Sequence, residues 1–419
     1  MGGRGADPVT VAVDLVLGSL NLAQLHAFTV IAERGSASRA ATHLLRAQSA
    51  VTRSLRELEV ALGEPLMERS PSGMRPTSVG EAVLERAVRV FAELRGLAPR
   101  RAPQPVREMR VPPGAIPSYL LNTRRLQSLV ALVRHRHMQS AAQTLGVSQP
   151  AVSSAIKILE AGLGSPLFDR TARGLRLTSD GEAFVFRVRR ALNELRHIPE
   201  DVAAVRGSIR GSVTVGALPF ARTMILPEAV AHVRRDYPGV HVVTDESAYE
   251  ALLAGLRAGD VDFIIGALRP AATGGDVRAE ALLGTGMVAL TRHGHPLAGE
   301  RGLTPDRLAG ADWILPRRHT PARAILDALF TRLHLPPPLA AVETGDLAMI
   351  RGLLMRTDMV AVLSAQQVHY ELRAGQLAIL DVPLAHTERE IGLTMRAAGE
   401  PSPAARRLLD AIRAVARQT

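Results

Sequence analysis

Three observations predict an α/β chain in which small all-α units precede a larger region built on sheets. A segment occurs twice, residues 21–82 and 122–183 agreeing at 22 of 62 positions at a gapless offset of 101. After residue 211, apolar strand patterns alternate with helical ones. Charge divides at the same point: Lys and Arg against Asp and Glu give 29 − 18 = +11 for residues 1–210 and 22 − 22 = 0 for residues 211–419. A basic half of this kind suits a polyanionic partner, and the neutral half does not. With 419 residues and 47% hydrophobic content, the chain is long enough for two or three buried cores.

The repeat predicts three short helices per copy. In the second copy Leu126, Leu129 and Val133 mark the first, Ala141, Ala142 and Leu145 the second, and Val152, Ile156 and Leu159 the third. Gly146 suits a left-handed helix end, Ser148 an N-cap and Pro150 a first turn. The result is a helix-turn-helix whose third helix presents Gln149, Ser153, Ser154 and Lys157 outward, where short polar side chains reach base edges or phosphates in a major groove. A glycine turn among basic residues follows, RTARGLRLT, and reads as a two-stranded wing in which Arg170, Arg173 and Arg176 suit phosphate contact. The matching positions of the first copy are Gln48, Ser49, Thr52, Arg53 and Arg69. From Gly181, apolar positions at Val185, Val188, Leu192 and Leu195 form a seam that predicts a dimerisation helix over 179–206, and the first copy has Leu84, Ala87, Phe91 and Leu94.

Residues 122–206, containing SAAQTLGVSQPAVSSAIKILEAGLGSPLFDRTARGLRLTSDGEA, resemble the DNA-binding domain of LysR-type transcriptional regulators. The first copy resembles it with departures: Leu45 for Gly146, Ala47 for Ser148 and Ser49 for Pro150. The resemblance continues through PLAGERGLTPDRLAGADWI and GDLAMIRGLLMRTDMVAVL. It implies two winged helix-turn-helix domains followed by a two-lobed α/β effector domain of the periplasmic-binding-protein kind. The expected domains are 20–98, a Pro/Arg-rich linker at 99–119, 120–206, and the effector domain at 211–415. The duplicate either widens the DNA footprint or serves as a dimerisation or regulatory module.

In the second half the expected strands are 212–218, 240–246, 261–268, 287–291, 312–316 and 358–363, in a parallel sheet. Expected helices start near Thr223 and Pro321, carry Leu252, Leu253 and Leu256, and cover Leu347–Leu354. Ligands of such sheets sit beyond the carboxyl ends of strands, near helix starts. That rule nominates Pro219, Phe220, Thr223, Arg269, Thr320 and Asp346 as effector contacts. Thr320 and Asp346 read first as helix caps, and Arg269 as a solvated loop charge or an effector clamp.

No cysteine is present, so disulfides and thiolate chemistry are excluded. His293 and His295 before Pro296 read as a turn rather than a metal site, and Arg134–His137 as a solvated turn or a phosphate contact. No cofactor, metal site or catalytic motif is expected. Asp7 and Asp14 flank and interrupt the apolar run PVTVAVDLVL, which argues against a signal peptide, and no stretch is apolar enough to span a membrane. The expected protein is a cytoplasmic transcription regulator that binds double-stranded DNA and a small-molecule effector, forms a homodimer or homotetramer, and acts on RNA polymerase. Two other readings are a constitutive architectural DNA protein whose second half oligomerises, and an enzyme assembled from residues distant in sequence.

Overall fold

The computed structural model describes residues 20–71, 73–97, 116–171, 174–269, 275–308, 310–318 and 320–418. Two compact units form: one of residues up to Gly211 with Ala258–Asp260, the other of Ser212–Arg257 and Val261 onward.

In the first unit each copy of the repeat is a winged helix-turn-helix. The first has α1 (Leu22–Arg34), α2 (Ala37–Leu44), α3 (Gln48–Leu62), the hairpin β1 (Met67–Ser70) and β2 (Gly73–Pro76), and α4 (Ser78–Arg95). The second has α5 (Thr123–His135), α6 (Met138–Leu145), α7 (Gln149–Leu163), β3 (Phe168–Thr171), β4 (Gly174–Leu177) and α8 (Ser179–Val205).

The residues repeated at offset 101 hold the same joints. Asn21 and Asn122 cap α1 and α5, and Thr77 and Thr178 cap α4 and α8. The Glu59 carboxylate accepts from Leu66 N at 2.8 Å, and Glu160 accepts from Leu167 N at 2.9 Å. Gly80 and Gly181 let the wing connection approach closely: a Cβ would lie 2.0 Å from the Leu66 carbonyl oxygen and 2.2 Å from that of Leu167.

The helix-turn-helix joint differs between the copies. In the second, Gly146 takes φ 62° and the Ser148 hydroxyl accepts from Ala151 N. In the first, Leu45 takes φ 53° with its side chain exposed to solvent, and Ala47 makes no side-chain cap. The helices nonetheless have equal length, because Val51, Leu55 and Leu58 bury the same face as Val152, Ile156 and Leu159. Leu45→Gly and Ala47→Ser should therefore stabilise the first copy by about 1 kcal/mol each, read as a rise in the urea midpoint. The same changes reversed in the second copy, Gly146→Leu and Ser148→Ala, should lower it.

The seam residues are buried as expected, Leu84 being only partly so. The apolar face of α8 packs along α4 of the same chain, and one continuous core runs from Leu20 to Val202 through both copies. The expected linker lies mostly outside the described residues, but its last part, from residue 116, belongs to this core: Ile116 is buried and Ser118–Leu120 forms a 3-10 turn. The apolar pair Ile116 and Leu120 outweighs the proline-rich composition around it.

The second unit has two lobes, each with a five-stranded sheet. Its elements begin with β5 (Gly211–Ala217), α9 (Ile225–Asp236), β6 (Val240–Asp245), α10 (Tyr249–Ala258), β7 (Phe263–Ala267) and β8 (Val277–Thr285). The chain then crosses to β9 (Val288–Arg292), β10 (Trp313–Leu315), α11 (Pro321–Arg332), β11 (Ala340–Glu343), α12 (Leu347–Leu354), β12 (Val360–Leu363), α13 (His369–Arg373) and β13 (Leu377–Ile379). It returns as β14 (Arg389–Arg396) and α14 (Pro403–Ala416). Sheet orders are β6-β5-β7-β14-β8 and β11-β10-β12-β9-β13.

The sheets are mixed rather than parallel throughout. β5 with β7, and β10 with β11 and β12, are parallel, whereas β14 runs antiparallel to β7 and β8, and β9 antiparallel to β12 and β13. Each lobe is completed by a strand that has crossed from the other, and such a crossing leaves no local periodicity to read. In the first lobe α14 packs against α9, and Arg413 clamps Glu280 of β8 at 2.8 and 2.9 Å.

Candidate functional site

On the first unit the expected duplex-binding side chains lie on the outer faces of α3 and α7. Gln48, Ser49, Arg53, Gln149, Pro150, Ser154 and Lys157 are exposed, with Thr52 and Ser153 half-buried beside them. Ser148 is exposed and occupied as the cap of α7. Arg69 stands exposed on β1 and Arg176 on β4. Arg170 lies in β3, and Arg173 falls outside the described residues.

The two faces share a glutamine at the start and then diverge. Arg53 donates to Glu57 at 2.7 Å, and Glu57 also accepts from Gln24 at 2.7 Å; these bonds, that of Arg53 first, hold the carboxyl below its usual range. The matching positions in α7 are Ser154 and Ile158, which leaves that face uncharged there.

Behind the first face, His26 packs edge-on against Phe91 at 5.2 Å. Burial first, then the charges of Arg95, His43 and Arg46, lower its pKa from 6.5 to about 4. The unfolded chain therefore binds this proton more readily than the folded one. Stability is full above the unfolded pKa and falls as pH drops toward the folded one, by about 2 kcal/mol between pH 7 and pH 5. His26→Gln, the residue at matching position 127, should flatten the acid limb of a urea-midpoint profile.

In the second unit a cavity of about 570 Å³ opens between the lobes. Pro219, Phe220, Arg269, Thr320 and Asp346 line it together, as the strand-end rule expects; Thr223 does not. The chain turns over residues 219–224 and α9 begins only at Ile225, so the Thr223 hydroxyl is buried off the cavity wall without a partner. Thr320 and Asp346 are also caps, accepting from Arg323 N and Met349 N. Three helix starts, those of α10, α11 and α12, thus border one cavity, and each brings a partial positive charge. Arg269 donates to Glu250 at 3.0 Å and lies 4.1 Å over the Tyr249 ring, with its Nε buried and unbonded.

Arg389, at the start of β14, was not expected. Its guanidinium reaches Ser364 Oγ at 3.3 Å and Gln367 Oε1 at 3.5 Å, and its Nε is buried without a partner. Burial pulls its pKa below the ordinary arginine value. Nothing in its local sequence marks it, since the strand reaches the cleft only by returning from the other lobe.

Elsewhere, His295 bonds to the Asp358 carbonyl and to Leu297 N in a turn after β9. His135 bonds to Thr144 beside the α5–α6 turn. Among the described residues no group of acidic, histidine or cysteine side chains has metal-binding geometry, and no helix is long and apolar enough to cross a membrane.

Residues 206–417 match the LysR substrate binding domain, and residues 22–81 and 123–182 each match the bacterial regulatory helix-turn-helix protein of the lysR family. The chain belongs to the LysR family of transcriptional regulators. This regulator is 47% identical over 395 residues to the HTH-type transcriptional regulator GalR of Pseudomonas putida, covering 94% of this chain and 97% of that protein. So long a match leaves no room for either helix-turn-helix copy to lie outside it. The HTH-type transcriptional regulator PcaQ of Agrobacterium fabrum is 32% identical over 295 residues, covering 70% of this chain and 94% of that one. Full-length OxyR from Pseudomonas aeruginosa shares the fold at TM-score 0.54 and 24% identity, covering 71% of this chain and 95% of that one. CbnR in complex with its target DNA shares it at TM-score 0.51 and 22% identity, covering 70% and 99%. The regulator is a DNA-binding protein whose second unit is the family's effector-binding domain.

Proposed function

We propose that this regulator inserts α3 and α7 into duplex DNA and responds to a small organic anion with an apolar body, bound between the lobes of its second unit. The observation that carries the effector class is Arg389: a cation held on the cleft wall by a hydroxyl and an amide, with one donor unmet and no carboxylate in ion-pair range among the described residues. An anionic ligand supplies the missing charge and acceptor. The helix starts and Arg269 favour the same sign, while Phe220, Ile314 and Ile350 offer an apolar wall.

Binding shifts the closure of the lobes to the extent that the ligand prefers one state. That shift changes how the DNA-reading unit engages its site, and RNA polymerase reads the outcome. The regulator acts in the cytoplasm as a homo-oligomer without a catalytic step.

Calorimetry of the full chain against small mono- and dicarboxylates and their amides is the test. Carboxylates should bind and amides should not, and Arg389→Gln should weaken binding about 10- to 100-fold, the value of a charged hydrogen bond. Equal binding of the uncharged amides would refute the assignment.

A further inference from the structure

The pairing of α4 with α8 has the form of a two-fold interface. Arg86 and Arg89 of the first copy pair with Glu194 of the second at 2.9 and 3.2 Å. Adding 101 to one side and subtracting it from the other gives Arg187 and Arg190 pairing with Glu93, and both contacts are present, at 3.5 and 2.7 Å. Reciprocal contacts of this kind define an isologous dimer, in which residue i meets j and j meets i. Here both halves belong to one polypeptide.

Three further observations favour pairing within the chain. Thr123 Oγ1 accepts from Leu22 N at 3.2 Å and donates to the Leu20 carbonyl at 2.9 Å, which ties the start of one copy to the start of the other. Leu97 and Ile116, either side of the undescribed connection, sit in the same core. The connection therefore joins two points of one packed body and keeps the copies at high effective concentration. Finally, the Arg187 guanidinium lies where a Cβ on Gly96 would stand, 2.3 Å away. The position matching Gly96 in the second copy is His197, so two second copies could pair only with Arg187 placed elsewhere.

We infer that a single chain is a complete two-headed reader, with α3 and α7 taking the two half-sites of one operator. This rests on the DNA-contact reading above and adds that the two half-sites read by one chain do not form a palindrome. Operator symmetry mirrors protein symmetry, and the two reading faces differ: Gln48, Thr52 and Arg53 on one side, Gln149, Ser153 and Ser154 on the other.

Two measurements on the full chain test this. The chain has no cysteine, so Glu64→Cys with Arg206→Cys, replacing an inter-copy ion pair at 3.0 Å between a half-buried carboxylate and an exposed arginine, can be bridged by a short bismaleimide without background. The expected product is a cross-linked single chain at every protein concentration; a covalent dimer would overturn pairing within the chain. Duplexes are then selected from a randomised library with the unsubstituted protein, and the two glutamine variants are footprinted on the winners. Gln48→Ala should relax base preference in one half and Gln149→Ala in the other, each weakening binding about 10-fold. Adjacent half-sites that form a palindrome, with Gln149→Ala weakening both members of the pair equally, would overturn the inference. If the cross-link forms within the chain but neither substitution alters the footprint, the recognition-helix reading fails and the operator claim falls with it, while the pairing stands.

Discussion

Replacing Arg86 by alanine should destabilise the first unit by about 3–5 kcal/mol, the cost of leaving buried charges without their partner. The Arg86 side chain is 1% exposed and donates to Asp201 at 2.7 and 3.0 Å and to Glu194 at 2.9 Å. Burial alone would lower its pKa; the hydrogen bonds and charges of Asp201 and Glu194 outweigh this and raise it above the ordinary value. Arg86→Lys keeps the charge and loses the fork, so its cost should fall between. The mirror residue supplies the control. Arg187 is 44% exposed, and solvent screening limits Arg187→Ala to about 0–1 kcal/mol. Urea unfolding of the full-length variants distinguishes the two sites; an Arg86→Ala midpoint no lower than that of Arg187→Ala would show that the buried network does not hold the two copies together.

Trp313→Ala should cost the second unit a similar amount, about 3–5 kcal/mol, by opening a cavity in the second lobe. Trp313 is 1% exposed, packs edge-on against Phe330 at 6.1 Å, and donates from Nε1 to the Leu308 carbonyl at 3.0 Å. Truncation removes the ring and orphans that oxygen together. The expected phenotype is separable: carboxylate binding is lost in calorimetry, while salt-sensitive association with duplex DNA persists, because each unit has its own core. It is the chain's only tryptophan, so fluorescence of the unsubstituted protein follows this lobe alone. A far-UV unfolding curve unchanged by the substitution would contradict the packing described.

What could be read early was whatever local chemistry specifies. Ser148 announces a helix start, Gly146 a left-handed helix end, and Val185, Val188, Leu192 and Leu195 a face needing a partner. The strand-end rule likewise placed Phe220, Arg269, Thr320 and Asp346 around one cavity. It failed at Thr223 because a turn over 219–224 delays the helix, and turn geometry depends on neighbours the pattern does not contain.

By itself, then, the sequence determined the duplicated reading domain, the seam on each long helix and the strand–helix alternation of the second half, because caps, periodicity and turn residues act over a few positions along the chain. Only the tertiary structure decided which helix fills that seam, α4 of the same chain, and which cation waits in the cleft, Arg389 on a strand returning from the other lobe. Arg86 meets Asp201 across 115 residues, and contacts made over such separations are selected by whole-domain packing rather than by any pattern in the residues beside them.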